Sequence, residues 1–212
     1  MRKSTRGSGA FIRGVVTALS CAAVILWHGN ATPAATESSP HLRPIDTERS
    51  WLKVYVGKEG LFKFAGDEHQ VDVPIAAGSF DDEKRSIEFT IDAAKMHVLD
   101  PPSRRDKVQS NMLGPQVLDV AKYPTISFRS TGVSITPANR SEPSNFWNVK
   151  GDLTLHGQTH PVSVVARNLG PGRFTGSARL KQSTFGIAPL RVAGGAVRVK
   201  DEVDIVFEID LK

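Results

Sequence analysis

The strongest constraint on what this chain can fold into is a period of two. At the C-terminal end Val203, Ile205, Phe207, Ile209 and Leu211 alternate with Asp204, Val206, Glu208 and Asp210. Successive side chains of an extended strand point to opposite faces, so such a segment has one apolar and one wetted face. The pattern returns at Ile87, Phe89 and Ile91, at Ile126 and Phe128, and at Trp147, Val149, Leu153 and Leu155. Strands are also expected over Trp51–Val56, His69–Ile75, Pro161–Asn168 and Arg173–Lys181, about eight in all. His156-Gly157-Gln158 reads as a tight hairpin in which Gly157 supplies a positive φ. Gly194-Gly195 also reads as a hairpin turn, and Arg104–Leu118 as one or two short helical turns in a crossover.

Strands that are apolar on one face must bury those faces together. A sandwich does this, and so does a closed barrel, which also removes the exposed edges. The interior of an eight-stranded barrel is just wide enough for side chains or for one slim ligand. Alternation alone gives all-β and does not choose among these.

The net charge of +5 invites a polyanionic partner until its distribution is read. Arg2, Lys3, Arg6 and Arg13 precede the first apolar run, and the first acidic residue is Glu37. Of the 27 Lys and Arg, removal of those four leaves 23 against 22 Asp and Glu. The basic excess belongs to the N-terminal segment, so no nucleic-acid partner is expected.

That segment has the three parts of a secretory signal: a cationic start, an apolar run from Gly14 to Trp27, and small residues from His28 to Ala35. Cleavage after Ala34 or after Ala31 satisfies the small-residue rule. The run would rise only about 21 Å as a helix, short of the roughly 30 Å hydrocarbon core. The expected organisation is a signal peptide over 1–34, a disordered polar linker over 35–48 and a barrel domain over 49–212. The one cysteine, Cys21, lies inside the apolar run, so the domain itself has no disulfide and no thiolate.

Two motifs are more specific than alternation. Arg105-Asp106 is followed by Val117-Leu-Asp-Val-Ala-Lys-Tyr-Pro-Thr-Ile-Ser-Phe-Arg-Ser-Thr131, and then by Val149-Lys-Gly-Asp-Leu-Thr-Leu-His-Gly-Gln-Thr-His-Pro-Val162. With Ser183-Thr-Phe-Gly-Ile187 and Lys200-Asp-Glu-Val203 in order behind them, the chain resembles the YceI-like family of bacterial lipid-binding proteins over roughly Leu52 to Leu211. The resemblance implies an all-β fold: an extended eight-stranded antiparallel lipocalin-like barrel with one short helical crossover. It also implies an apolar tunnel holding a polyisoprenoid, such as a quinone tail or prenyl lipid, in the periplasm or outside the cell. The chain departs from the family at Trp51-Leu-Lys-Val-Tyr-Val56, where His-Ser-x-Val-x-Phe is usual, and at Met96-His-Val-Leu-Asp-Pro-Pro102.

Candidate tunnel positions are Val54, Phe62, Phe64, Phe89, Ile91, Met96, Met112, Leu113, Phe128, Leu153, Phe185, Ile205 and Phe207. Enclosing about 400 Å² of a prenyl chain would release about 10 kcal/mol at about 25 cal/mol/Å², before association costs. The competing reading is that these side chains merely fill the barrel. Asp67-Glu68-His69 with Asp72 is the densest polar cluster, but neighbours on a strand face opposite ways. His156 and His160 flank a turn, and His97 stands alone. Surface or turn roles are expected for these, with His69 the position for a head-group contact. Structural roles are expected for Arg105, Asp106, Asp119 and Tyr123, and a surface ion pair for Asp152. No G-x-S-x-G, H-E-x-x-H or P-loop is present, so neither an enzyme nor a cofactor is expected. The reading is an exported isoprenoid-binding protein that transports, stores or sequesters its ligand, in a stress response among other settings. Membrane contact is at most transient and a homodimer is left open. The alternatives are a ligand-free interaction or stress-protective barrel, and an enzyme acting on a lipid around His69.

Overall fold

The alternating segments all become strands of a single sheet. The computed structural model describes residues 41–59, 68–138, 140, 145–192 and 197–212. In chain order the strands are β1 (Leu42–Pro44), β2 (Trp51–Glu59), β3 (His69–Asp72), β4 (Ile75–Asp81), β5 (Ser86–Asp92) and β6 (His97–Val98). After helix α1 (Pro102–Leu113) come β7 (Thr125–Thr136), β8 (Phe146–Leu155), β9 (Gln158–Gly170), β10 (Arg173–Lys181), β11 (Arg191–Val192) and β12 (Val197–Asp210). The order is β1-β4-β5-β7-β8-β9-β10-β12-β2-β3-β6, with β11 on β12, and the neighbours pair antiparallel. The sheet curls into a barrel-like wall, with one α-helix among the described residues.

Among the described residues twelve strands replace the expected eight. Val73 still bonds to β2, its N–H donating to the Leu52 carbonyl at 2.9 Å. Pro74 has no N–H to donate, and pairing resumes at Ile75, which lies opposite Ile91 of β5. The expected strand His69–Ile75 therefore ends early and a separate β4 follows it. The other additions, β1, β6 and β11, have three, two and two residues, too few for alternation to register. The sheet also begins before the expected domain boundary at residue 49. Ile45, beside β1, is buried and bridges to Leu211, inside the stretch read as linker.

The crossover is likewise more regular than expected. Rather than one or two short helical turns over Arg104–Leu118, α1 is a 12-residue helix with Pro102 at its start, where a missing N–H costs nothing. Gln109 ties it to the sheet, its amide donating to the Met96 carbonyl at 2.7 Å and its Oε1 accepting from Val98 N at 2.8 Å.

The hairpin at His156-Gly157 forms as expected. Both residues have positive φ (52° and 72°), the geometry that suits a two-residue turn to strand twist. The ring of Tyr123 lies where a Cβ on Gly157 would stand and packs edge-on to His156 at 4.7 Å. The two halves of the long motif thus meet in space, and Tyr123 has the structural role expected of it.

Candidate ligand cavity

The inner faces of the strands enclose a cavity of about 350 Å³, within the roughly 300–1,000 Å³ of small-molecule sites. Its wall follows the alternation: Leu52, Val54 and Val56 on β2, Ile87, Phe89 and Ile91 on β5, Val149, Leu153 and Leu155 on β8, and Val203, Ile205, Phe207 and Ile209 on β12. Val162, Val164 and Ala166 of β9 and Phe174, Ala178 and Leu180 of β10 complete that side. From α1 come Val108, Asn111 and Met112.

Two inward phenylalanines stay out of the centre for a local reason. Phe128 lies against Gly151 on β8, and Phe207 against Gly176 on β10, each ring tip taking the place of the missing Cβ. Glycine on a strand leaves room for an aromatic ring to lie along the neighbouring strand. The rings therefore coat the wall instead of filling the space it encloses.

Of the sequence-derived positions, Val54, Phe89, Ile91, Met96, Met112, Phe128, Leu153, Ile205 and Phe207 line this cavity. Leu113 packs on the core from α1 without lining it. Phe185 is 1% exposed and packs away from the cavity, edge-on to His160 with ring centres 5.3 Å apart. It lies on a 3₁₀ turn that follows β10 (Gln182–Phe185), so a period-two reading does not apply to it. Phe62 and Phe64 lie outside the described residues, as do Gly194-Gly195, the segment read as signal and the first six residues of the segment read as linker.

Sequence reasoning missed an aromatic cluster at one end. Phe80, Trp147 and Phe174 line the cavity with ring centres 5.2–6.2 Å apart. Trp147 Nε1 is buried there and, among the described residues, has no hydrogen-bond partner. Phe80 comes from the unanticipated β4, which is why the cluster was not legible.

The polar members of the wall include Lys58, His69, Asn111 and Gln182. His69 departs from a surface role. Its Nδ1 lies 2.7 Å from Asp100 Oδ2, and their side chains are 16% and 1% exposed. The Arg104 Nε donates to the same oxygen at 3.0 Å. Two other histidines have partners of their own: His156 Nδ1 lies 3.2 Å from the Phe185 carbonyl and His160 Nε2 3.2 Å from Gln158 Oε1. No group of three His, Cys, Asp or Glu converges among the described residues. The ion pair expected of Asp152 goes elsewhere. Arg129, opposite it in the register, pairs with Glu88 at 2.8 Å.

A curled antiparallel sheet around an apolar cavity, with one helix among the described residues, resembles the lipocalin-like fold. The chain belongs to the family of the YceI-like domain, whose profile matches residues 44–211. A UPF0312 protein of Azotobacter vinelandii is 32% identical over 117 residues, 51% of this chain and 54% of its own length. A UPF0312 protein of Vibrio cholerae is 34% identical over 112 residues, 49% of this chain and 53% of its own. The chain thus spans about half the length of the curated relatives it matches. Among solved structures, Burkholderia cenocepacia BcnA superposes with a TM-score of 0.53 at 23% identity, covering 78% of this chain and 98% of that one. A polyisoprenoid binding domain from Saccharophagus degradans, implicated in plant cell wall breakdown, gives 0.53 at 12% identity, covering 81% and 99%. At these identities the structures speak for the fold.

Proposed function

We propose that this protein is an exported carrier that holds a long apolar, isoprenoid-like molecule inside its curled sheet. The observation that carries the reading is the cavity itself. A barrel that had only to be stable would fill its centre, since interiors pack to crystal-like density. Here the apolar wall surrounds unfilled space. Val54, Phe89, Ile91, Phe128, Leu153, Ile205 and Phe207 would make the sides of the binding surface, and Met96 and Met112 an adaptable part of it. The polyisoprenoid binding domain of the S. degradans neighbour supports the choice of ligand class. Export to the periplasm or beyond rests on the signal-like N-terminal segment, and with it comes transient membrane contact to load or unload.

Organic extraction of the purified protein followed by mass spectrometry tests this. An isoprenoid in near-stoichiometric amount is the expected result. Protein that yields none, and that fails to take up geranylgeraniol after delipidation, would return the fold to a ligand-free role.

A further inference from the structure

Within the proposed lipid-binding role, we infer that His69 is the polar anchor of the cavity and that it selects a ligand ending in a hydroxyl group, an isoprenoid alcohol or a reduced, quinol-type ring. The argument starts from Asp100. Its carboxylate is 1% exposed and accepts from Arg104 Nε at 3.0 Å. It faces that guanidinium, and a carboxylate only accepts. The 2.7 Å contact to His69 Nδ1 therefore requires the proton on that nitrogen. Asp100 and Arg104 thus fix both the ring's orientation and its tautomer.

What remains is Nε2. His69 lines the cavity, and among the described residues Nε2 has no partner. It stands in a wall whose members are mostly apolar, Lys58, Asn111 and Gln182 being among the exceptions, and a polar group facing such a wall gains from a hydrogen-bonding partner. In the neutral ring Nε2 accepts, and in the imidazolium it donates. A hydroxyl answers both states, donating to the first and accepting from the second. A quinone carbonyl or a methyl ether answers only the imidazolium.

Delipidated full-length protein is titrated with geranylgeraniol and with its methyl ether, in wild type and in His69→Phe and His69→Gln. Wild type is expected to favour the alcohol by about tenfold, the worth of one net hydrogen bond. His69→Phe should bring the ratio to about one through loss of alcohol affinity alone, while His69→Gln, which keeps a polar terminus, should retain part of it. Near-ultraviolet circular dichroism confirms that each variant is folded. Equal binding of alcohol and ether by wild type, or a ratio that survives His69→Phe, overturns the anchor and leaves the lipid-binding reading standing. Binding of neither compound overturns both. Should His69→Phe not fold, the Asp100→Asn variant tests the same point. It frees the tautomer and must lower the ratio if the anchor is real.

Discussion

The carboxylate of Asp201 takes two hydrogen bonds from Ser183, from its amide at 2.8 Å and from its hydroxyl at 2.6 Å. Ser183 opens the Ser-Thr-Phe-Gly-Ile motif and Asp201 sits in Lys-Asp-Glu-Val, so the two closing motifs of the chain are the halves of one clasp. It fixes the 3₁₀ turn carrying Phe185 against the start of the long strand β12. The Asp201→Asn variant should lose about 1–2 kcal/mol, because a charge-assisted pair becomes a neutral one. Urea denaturation would register this as a lower midpoint at unchanged slope.

The Ser183 hydroxyl, and then its amide, also hold the Asp201 carboxyl below the ordinary carboxylate value. A depressed folded-state pKa contributes stability above the unfolded value of about 3.9 and loses it as pH falls through the folded one. Asp81, held down by the Lys84 amide and ammonium, and Asp204, held down by Arg179, act in the same direction. Thermal midpoints should therefore be flat near neutrality and fall below about pH 4. The Asp201→Asn variant should show a shallower fall. An acid limb identical to that of wild type would exclude Asp201 as a contributor.

Gly157 should tolerate no side chain. Its φ of 72° already disfavours one, and the Tyr123 ring fills the place of its Cβ. The Gly157→Ala variant is expected to lose about 2 kcal/mol or more, with a thermal midpoint lower by about 5 °C. A change of less than about 0.5 kcal/mol would mean that the ring moves freely.

A hollow interior and a packed one respond oppositely to added volume. Ala178, half-buried on β10, borders the cavity. In a filled core Ala178→Phe would cost about 1–3 kcal/mol. Here the variant should fold with stability within about 1 kcal/mol of wild type, because the ring enters open space and buries itself there. It should also carry less extractable lipid. A large destabilisation with unchanged lipid content would contradict both expectations.

Trp147 offers an optical readout. It lines the cavity with its Nε1 buried, whereas Trp51 is 36% exposed on the outside. Ligand entry should change indole emission in wild type and in Trp51→Phe, and should leave Trp147→Phe nearly silent. A response that follows Trp51 would put the ligand on the outer surface.

Much of the cavity wall was legible in the sequence. Phe89, Ile91, Phe128, Leu153, Ile205 and Phe207 were read from alternation, and a strand that alternates cannot turn one of these inward without turning the others. Phe185 was misread because it left the strand pattern for a 3₁₀ turn, where side-chain direction follows a different period. Phe80 was missed because its strand, Ile75-Ala-Ala-Gly-Ser-Phe-Asp81, alternates poorly and is recognisable only by its pairing with β1 and β5. His69 was singled out, but for its sequence neighbours Asp67, Glu68 and Asp72. The partners that define it, Asp100 and Arg104, stand 31 and 35 positions away and reach it through β6 and the start of α1.

By itself the sequence determined that the chain is all-β, which face of each strand is apolar, and where one two-residue hairpin lies. These are properties of single segments, set by the two-residue repeat and by a glycine at a positive φ. Tertiary structure alone decided the number of strands, the clasp between Ser183 and Asp201, and the hollow centre. Each of those depends on groups brought together across the sheet, and above all on glycines of one strand receiving phenyl rings of the next. That is the difference between an apolar face that fills a barrel and one that lines it.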